Sequence, residues 1–141
     1  MVGRTKSKTK VEQERIHFVK HFMGCLPCLL VKYPNSHCDY HHVVEGQRRV
    51  GEMWGYGMCL WHHKGIREGD WAVLTRQEVV GILGPSHALS RKEFRAKFGT
   101  ERSLVSVVDY AQKLFKKYAW NEFEMSGSIA NRIWHFHLGK Q

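Results

Sequence analysis

Residues 24–65 read GCLPCLLVKYPNSHCDYHHVVEGQRRVGEMWGYGMCLWHHKG. In this stretch two residues separate Cys25 from Cys28, and two residues separate Cys59 from His62. Such spacing lets two ligand atoms converge on one ion, from a tight turn in the first pair and from one side of a helix in the second. The four side chains are the tetrahedral ligands of a closed structural zinc site, and we predict that they bind Zn²⁺.

Cys38 is the remaining thiol. It could replace His62 as a zinc ligand, or it could be a small buried hydrophobic residue, which we favour. Two disulfides are the alternative for four cysteines in a secreted chain. The basic start of this sequence has no apolar stretch of the secretory kind, so we expect a cytoplasmic protein whose cysteines bind metal.

The local signals of the same stretch predict a strand, a turn, a strand and a helix. Residues 40–44 are typical of a short strand, and residues 46–49 could return the chain as a second one. Residues 59–64 then form a short helix that ends at Gly65. The expected fold is a single α+β domain with a zinc-stapled ββα core and flanking helices.

The flanking sequence predicts helices on both sides of this core. Apolar spacing favours a helix over residues 11–23 that ends at Gly24, whereas residues 71–83 fit a strand or a helix equally well. Ser90 and Glu93 form a capping box for a helix that stops at Gly99. A longer amphipathic helix follows from Thr100, and a last short helix is expected around residues 129–134. The expected divisions are a basic flexible tail (1–10), the main domain (11–119) and a C-terminal extension (120–141).

Two histidine doublets predict a second metal site. His41 and His42 are neighbours on the predicted strand, and His62 and His63 are neighbours on the predicted helix. Neighbours on either element point in different directions, so each doublet must divide its tasks. If His62 binds the structural zinc, His41 and His63 can hold a second ion while His42 stays unligated.

That division is suited to metal-assisted hydrolysis of a phosphodiester. A neutral imidazole takes a proton from water near physiological pH, which makes His42 the candidate general base. Basic residues close in sequence could hold flanking phosphates, although each could equally be solvated surface charge. These candidate DNA-binding residues are Arg48, Arg49, Lys64 and Arg67.

The charge of the chain favours a polyanionic partner. Lysine and arginine number 22 against 13 acids, a formal net charge of +9. The charge is spread along the chain rather than concentrated in one amphipathic segment, and no stretch is apolar enough to cross a bilayer. We therefore expect nucleic acid, and no membrane, as the partner.

At these residues the sequence resembles the HNH domain of phage recombination enhancement nucleases, the Ref-type, RecA-dependent enzymes. The shared pattern is Gly24-Cys25-x-x-Cys28, Cys38-x-x-His41-His42 and Cys59-x-x-His62-His63-Lys64-Gly65, with residues 84–87 and 94–101 continuing the similarity. It covers roughly residues 12–105.

The resemblance implies an HNH endonuclease with a treble-clef-like ββα-metal core that cleaves DNA in phage recombination or repair. By position His42 would be the general base, His41 and His63 would hold the catalytic Mg²⁺, Mn²⁺ or Zn²⁺, and His87 would lie near the active site. A RecA-type filament is the implied protein partner, and the bacterial host cytoplasm is the implied location. HNH enzymes orient the base with an asparagine, which is absent between His42 and His63; Tyr56, Glu52 or a backbone carbonyl would take its place.

Two other functions remain open at this stage. The first is a non-catalytic zinc module that binds nucleic acid through the same basic surface. The second is a module that docks onto a recombinase or a replication protein, with a purely structural zinc.

Overall fold

The protein is described by a computed structural model over residues 7–118 and 127–139. No helix in these residues combines the length and the apolar character that a membrane span requires. In chain order the elements are α1 (Lys10–Phe18), which continues into a π-helical turn (Val19–Met23), α2 (Leu26–Leu30), β1 (Asp39–His42), β2 (Val44–Glu45), β3 (Arg48–Arg49), β4 (Gly55–Met58), α3 (Leu60–Lys64), a 3₁₀ turn (Gly69–Val73), α4 (Arg76–Leu83), α5 (Arg91–Phe98), α6 (Glu101–Tyr118) and α7 (Gly127–Leu138).

The strands form two small antiparallel sheets. β1 pairs with β4, which places His41 opposite Tyr56 and His42 opposite Gly55. β2 and β3 form a separate hairpin. The fold therefore mixes helices with small sheets, and α3 follows directly after the β1–β4 pair.

The predicted strand, turn and strand are present as the short β2–β3 hairpin, but the longer pairing of β1 was not predicted. The strand expected over residues 46–49 is reduced to β3 and pairs with β2, while the main partner of β1 is the unpredicted β4. Glycines in β4 look like strand breakers in sequence, but Gly57 is required by a close approach. A Cβ atom there would lie 2.2 Å from the Gly24 carbonyl oxygen, so no larger residue fits at this crossing.

The N-terminal helical segment begins at Lys10, one residue before the predicted start, and ends at Gly24 as predicted. Thr9 caps α1 in a reciprocal capping box with Glu12, and Gly24 ends the helical segment at φ +77°. A Cβ atom at Gly24 would lie 2.4 Å from the Asn35 carbonyl oxygen, which makes glycine necessary there as well. Of the predicted basic tail, residues 1–6 lie outside the described residues, and Lys10 belongs to α1.

The segment that carries Cys25 and Cys28 is a short helix rather than the predicted tight turn. Cys25 is the N-cap of α2, and Pro27 lies in its first turn. Proline is favoured there because the first helical residues need no amide donor. The first turn of a helix also brings positions three apart together, so the two sulfurs converge as the spacing requires.

α6 is the centre of the main hydrophobic core, as its amphipathic pattern predicts. Its buried side chains pack with α1, β4 and α5 in one cluster. Ile133 of α7 is fully buried in the same cluster, and His137 Nε2 lies 2.7 Å from the Phe98 carbonyl oxygen. The predicted last helix is thus confirmed and is longer than expected; residues 119–126 of the predicted divisions lie outside the described residues.

A buried arginine ties α1 to α6. Arg15 is 1% exposed. Its guanidinium donates to Gln112 Oε1 at 2.8 Å and pairs with the carboxylate of Asp109. A buried charge without partners is costly, so these contacts fix the orientation of the two helices.

An Asp109→Ala variant is expected to lose about 1–2 kcal/mol of unfolding free energy, because a buried guanidinium loses one of its acceptors. Urea denaturation monitored by circular dichroism measures the change. Glu14→Ala, which removes an exposed acid from α1, is the matched control and should be neutral. Equal stability of the two variants would contradict a supporting role for the Arg15–Asp109 pair.

Candidate functional site

Four buried side chains from α2 and α3 form a compact cluster. Cys59 caps α3, and His62 lies one turn further along it. The sulfurs of Cys25, Cys28 and Cys59 lie 3.5, 3.5 and 3.2 Å from His62 Nδ1. The structure thus brings together the four predicted zinc ligands, and their ligand atoms all lie within 4.8 Å of one another.

The dimensions and donors of this cluster fit a zinc ion. Ligands at about 2.0–2.3 Å from a tetrahedral ion are separated by about 3.4–3.8 Å, and the Cys28 and Cys59 sulfurs are 3.7 Å apart. His62 Nε2 lies 2.7 Å from the Leu83 carbonyl oxygen. A proton on Nε2 leaves Nδ1 free to ligate, which is the usual arrangement for a metal-bound histidine. The cluster could therefore hold a metal such as zinc.

The thiols of the cluster do not titrate alike. Hydrogen bonds with Cys25 and Cys28 hold the pKa of the Cys59 thiol well below its ordinary value. Burial raises the pKa of the Cys25 thiol. A metal binds the thiolate form of cysteine, so Cys59 is the thiol that loses its proton most readily for metal binding.

Cys38 stays outside the cluster. Its sulfur lies 3.8 Å from the Val19 carbonyl oxygen, and burial raises its pKa to about 12. His62, and not Cys38, completes the group of four. Cys38 is half-buried against the main core, in line with the small hydrophobic role favoured above.

α4 closes the cluster from one side. Trp61 Nε1 donates to the Gly84 carbonyl oxygen at 3.0 Å, and Val79 and Leu83 are buried beside the cysteines. Residues 71–83, which the sequence left open between strand and helix, therefore supply the 3₁₀ turn and α4. A capping box of Thr75 with Glu78 is the signal that favours the helix.

A second group combines residues from β1, from the segment between α4 and α5, and from the start of α6. His41 Nε2 is 2.7 Å and His87 Nε2 is 3.3 Å from Glu101 Oε1. Tyr56 donates its hydroxyl to the same oxygen at 3.1 Å. His41, His87 and Glu101 could hold a metal ion together, and each is partly exposed, so a ligand can reach them.

His63 lies beside this group. Its ring centroid is 5.3 Å from that of His41. Within the part of the chain that the structure describes, His63 Nδ1 is buried without a hydrogen bond, and its contact with Asp39 Oδ2 is a longer ion-pair contact of 3.6 Å. A buried ring nitrogen without a donor or acceptor is unusual, and it is suited to a cation. Burial lowers the pKa of His63, which favours the neutral ring that a metal needs.

His42 faces the other side of β1. Its Nε2 lies 2.9 Å from Glu52 Oε2, and its ring meets that of Tyr40 edge to face. The hydrogen bond with His42 holds the pKa of Glu52 below its ordinary value. The two members of the first doublet thus have separate partners, Glu101 for His41 and Glu52 for His42.

The carboxylate of Glu101 is ionised in this setting. Burial alone would raise its pKa, but hydrogen bonds with His41 and His87 outweigh burial and hold the pKa well below its ordinary value. A carboxylate together with imidazole side chains is a typical ligand set for a divalent ion that must keep open positions for substrate.

The basic residues selected from the sequence lie around the site rather than in it. Arg48 and Arg49 form β3, and Lys64 ends α3; all three are exposed. The Arg67 guanidinium donates to the Leu74 carbonyl oxygen. A cleft of about 360 Å³ opens beside His87 and Glu101, and different arginines line it: Arg91, Arg95 and Arg102.

Sequence reasoning did not select Glu101 or Asp39 as site residues. Glu101 is the first residue of α6, where an acid ordinarily complements the helix dipole. No spacing rule relates it to His41, which is sixty residues away in the chain. Asp39 offered a better signal, since it is two residues before His41 and therefore shares its face of the strand.

Comparison with known proteins agrees with the motifs. The sequence model of the family described as recombination enhancement, RecA-dependent nuclease matches residues 8–114. No curated protein and no solved structure matches the chain. The matched region includes both clusters and most of α6. The chain therefore belongs to the family of recombination enhancement, RecA-dependent nucleases.

Proposed function

We propose that this protein is an HNH-type, metal-dependent endonuclease that hydrolyses DNA phosphodiester bonds during recombination. The observation that carries the proposal is the partly exposed group of His41, His87 and Glu101, with His63 beside it, whose Nδ1 forms no hydrogen bond with the described residues. His41 of this group lies on β1, and His63 beside it lies on α3, the helix that also carries His62 of the buried cysteine cluster.

A divalent ion is best held by His41, His87 and Glu101, with His63 beside them as a further ligand. When bound, the ion would supply positive charge that stabilises the extra negative charge on the phosphate and on the departing oxygen. Tyr56 keeps Glu101 in place through its hydroxyl. The ligand set allows Mg²⁺, Mn²⁺ or Zn²⁺, because imidazole suits the later metals and carboxylate the harder ones.

His42 is the proposed general base. Glu52 fixes its ring through Nε2, so the proton on Nε2 points at the carboxylate and Nδ1 can accept a proton from water. The negative charge of Glu52 then stabilises the imidazolium that forms. Glu52 thus takes the orienting role that an asparagine has in other HNH enzymes.

Zinc at Cys25, Cys28, Cys59 and His62 has a structural role in this proposal. The cluster is fully buried, so no substrate can reach it. It holds α3 against α2, and α3 carries His63 into the second group. The two doublet members on α3 therefore serve different ions.

The family description names the RecA dependence, and we extend it to this chain. DNA and a RecA-type filament are the proposed partners, and the bacterial cytoplasm, with phage recombination as the setting, is the place where such a filament forms. The net charge of +9 supports a polyanionic substrate.

Cleavage of DNA with and without a RecA-type filament, across Mg²⁺, Mn²⁺ and Zn²⁺, tests the proposal. Wild-type protein should cut with at least one ion. Loss of a residue that only supports a ligand weakens metal binding by about 10–100-fold, and Glu101→Gln removes a ligand itself, so it should weaken binding and cleavage by at least that factor. Glu93→Gln, an exposed acid on α5, is the matched control. Binding of DNA without cleavage under every ion would instead favour the non-catalytic zinc module.

A further inference from the structure

The cleft beside His87 and Glu101 is lined by positively charged side chains that have no part in the proposed metal site. It lies between the α5–α6 corner on one side and the chain at residues 43–45 on the other. Its volume of about 360 Å³ is at the small end of ligand pockets, which suits a segment of one strand rather than a duplex.

Three arginines line this cleft, but only two are available to a ligand. Arg102 is held by Glu45 through two contacts of 2.8 Å, and its guanidinium lies 5.0 Å from the centre of the Trp54 ring. The exposed side chains of Arg91 and Arg95 form no hydrogen bond or ion pair with any of the described residues.

Arg91 and Arg95 are also placed to act as a pair. They are four residues apart on α5, so their side chains lie on the same face of the helix. Phe94, between them, is buried against the His87 ring at 5.2 Å between centroids. The packing of Phe94 therefore positions the turn of α5 from which both arginines project relative to the histidine.

We propose that Arg91 and Arg95 hold successive phosphates of a single DNA strand, next to the phosphate that is cut. The proposal rests on the proposed nuclease function and adds the path of the strand, which enters between α5 and residues 43–45. Guanidinium groups bind phosphate oxygens through paired hydrogen bonds, which position a strand without reading its sequence.

An acidic protein segment is the other polyanion that two arginines could bind. The cleft favours DNA because it shares His87 and Glu101 with the proposed metal site. A strand held in the cleft is already beside the groups that would act on it. A protein segment there would block them.

Fluorescence anisotropy with a labelled single-stranded oligonucleotide, without added divalent ion, tests the strand path. Each phosphate contact on a single strand contributes about 0.7 to the slope of log K against log salt. The double variant Arg91→Gln/Arg95→Gln should lower that slope by about 1.4 relative to wild type. Arg76→Gln/Lys92→Gln removes the same charge from exposed positions outside the cleft and should leave the slope near that of wild type.

The outcomes separate this inference from the proposed function. Equal slopes for the two double variants, or an unchanged slope for the Arg91/Arg95 variant, would overturn the strand path even if wild type cuts DNA. If the Arg91/Arg95 variant has a lowered slope but wild-type protein never cuts DNA, the strand path is supported and the nuclease function is refuted. Polyglutamate can be tested as a competitor in the same assay. If the Arg91/Arg95 variant no longer responds to polyglutamate but keeps the wild-type slope for DNA, the cleft binds an acidic protein segment instead.

Discussion

A Cys59→Ser variant is expected to lose its folded structure under conditions in which wild type is stable. Structural zinc sites contribute about 10–16 kcal/mol of apparent binding free energy. A domain of this size has only about 5–15 kcal/mol of net stability. Serine cannot replace the thiolate that joins α3 to α2, and three donors would remain buried without their ion. Thermal unfolding by circular dichroism and zinc content by mass spectrometry measure the loss.

Cys38→Ser is the matched control for that variant. Cys38 has the same chemistry and lies against the core, but its sulfur is outside the cluster. The Cys38→Ser variant should keep one zinc per chain and lose only about 1 kcal/mol of unfolding free energy, because a single partly buried thiol is replaced. A Cys59→Ser protein that melts like Cys38→Ser and still binds zinc would refute a structural role for the buried cluster.

The sequence predicts the two clusters unequally, for a physical reason. The cysteine cluster is assembled from two local spacings, and the periodicity of a helical turn determines both. The predicted helix ends at Ser90 and Gly24 are likewise local, and the structure places helix ends there. Such features depend on neighbouring residues and not on contacts between residues that are distant in sequence.

The second group depends on contacts that are distant in sequence. Glu101 reaches His41 only because α6 packs along the β1–β4 pair, and no local pattern encodes that packing. The β1–β4 pairing is also non-local: glycine has a low strand propensity, but the close approach of the Gly24 carbonyl oxygen requires a residue without a side chain at Gly57. A steric demand set by a partner cannot be read from the residue alone.

The division of the first histidine doublet is an intermediate case. Alternation along a strand predicts that His41 and His42 have different partners, and their partners do differ. The identity of those partners needed the structure. Glu52 was one of several candidates to orient His42, and it is the one whose carboxylate contacts the ring.

A His42→Ala variant is expected to lose about 10²–10⁴-fold in kcat for DNA cleavage, because removal of a general base has effects of that size. Its content of bound ions should equal that of wild type, since His42 lies apart from the group around Glu101. His63→Ala should differ, with loss of ion binding together with activity. Cleavage rates under saturating DNA, paired with metal analysis of each variant, separate a base from a ligand.

Two further measurements distinguish a general base from a residue that only stabilises β1. Imidazole added to the assay should restore part of the activity of His42→Ala but none of that of His63→Ala, because a free base can replace a missing base more readily than a missing ligand. His37→Ala, an exposed histidine just before β1, should cut like wild type. If His42→Ala cuts at the wild-type rate while His63→Ala keeps its ions and loses cleavage, the proton is taken by His63, whose lowered pKa also suits that task. The Glu52–His42 contact would then stabilise β1 and have no part in catalysis.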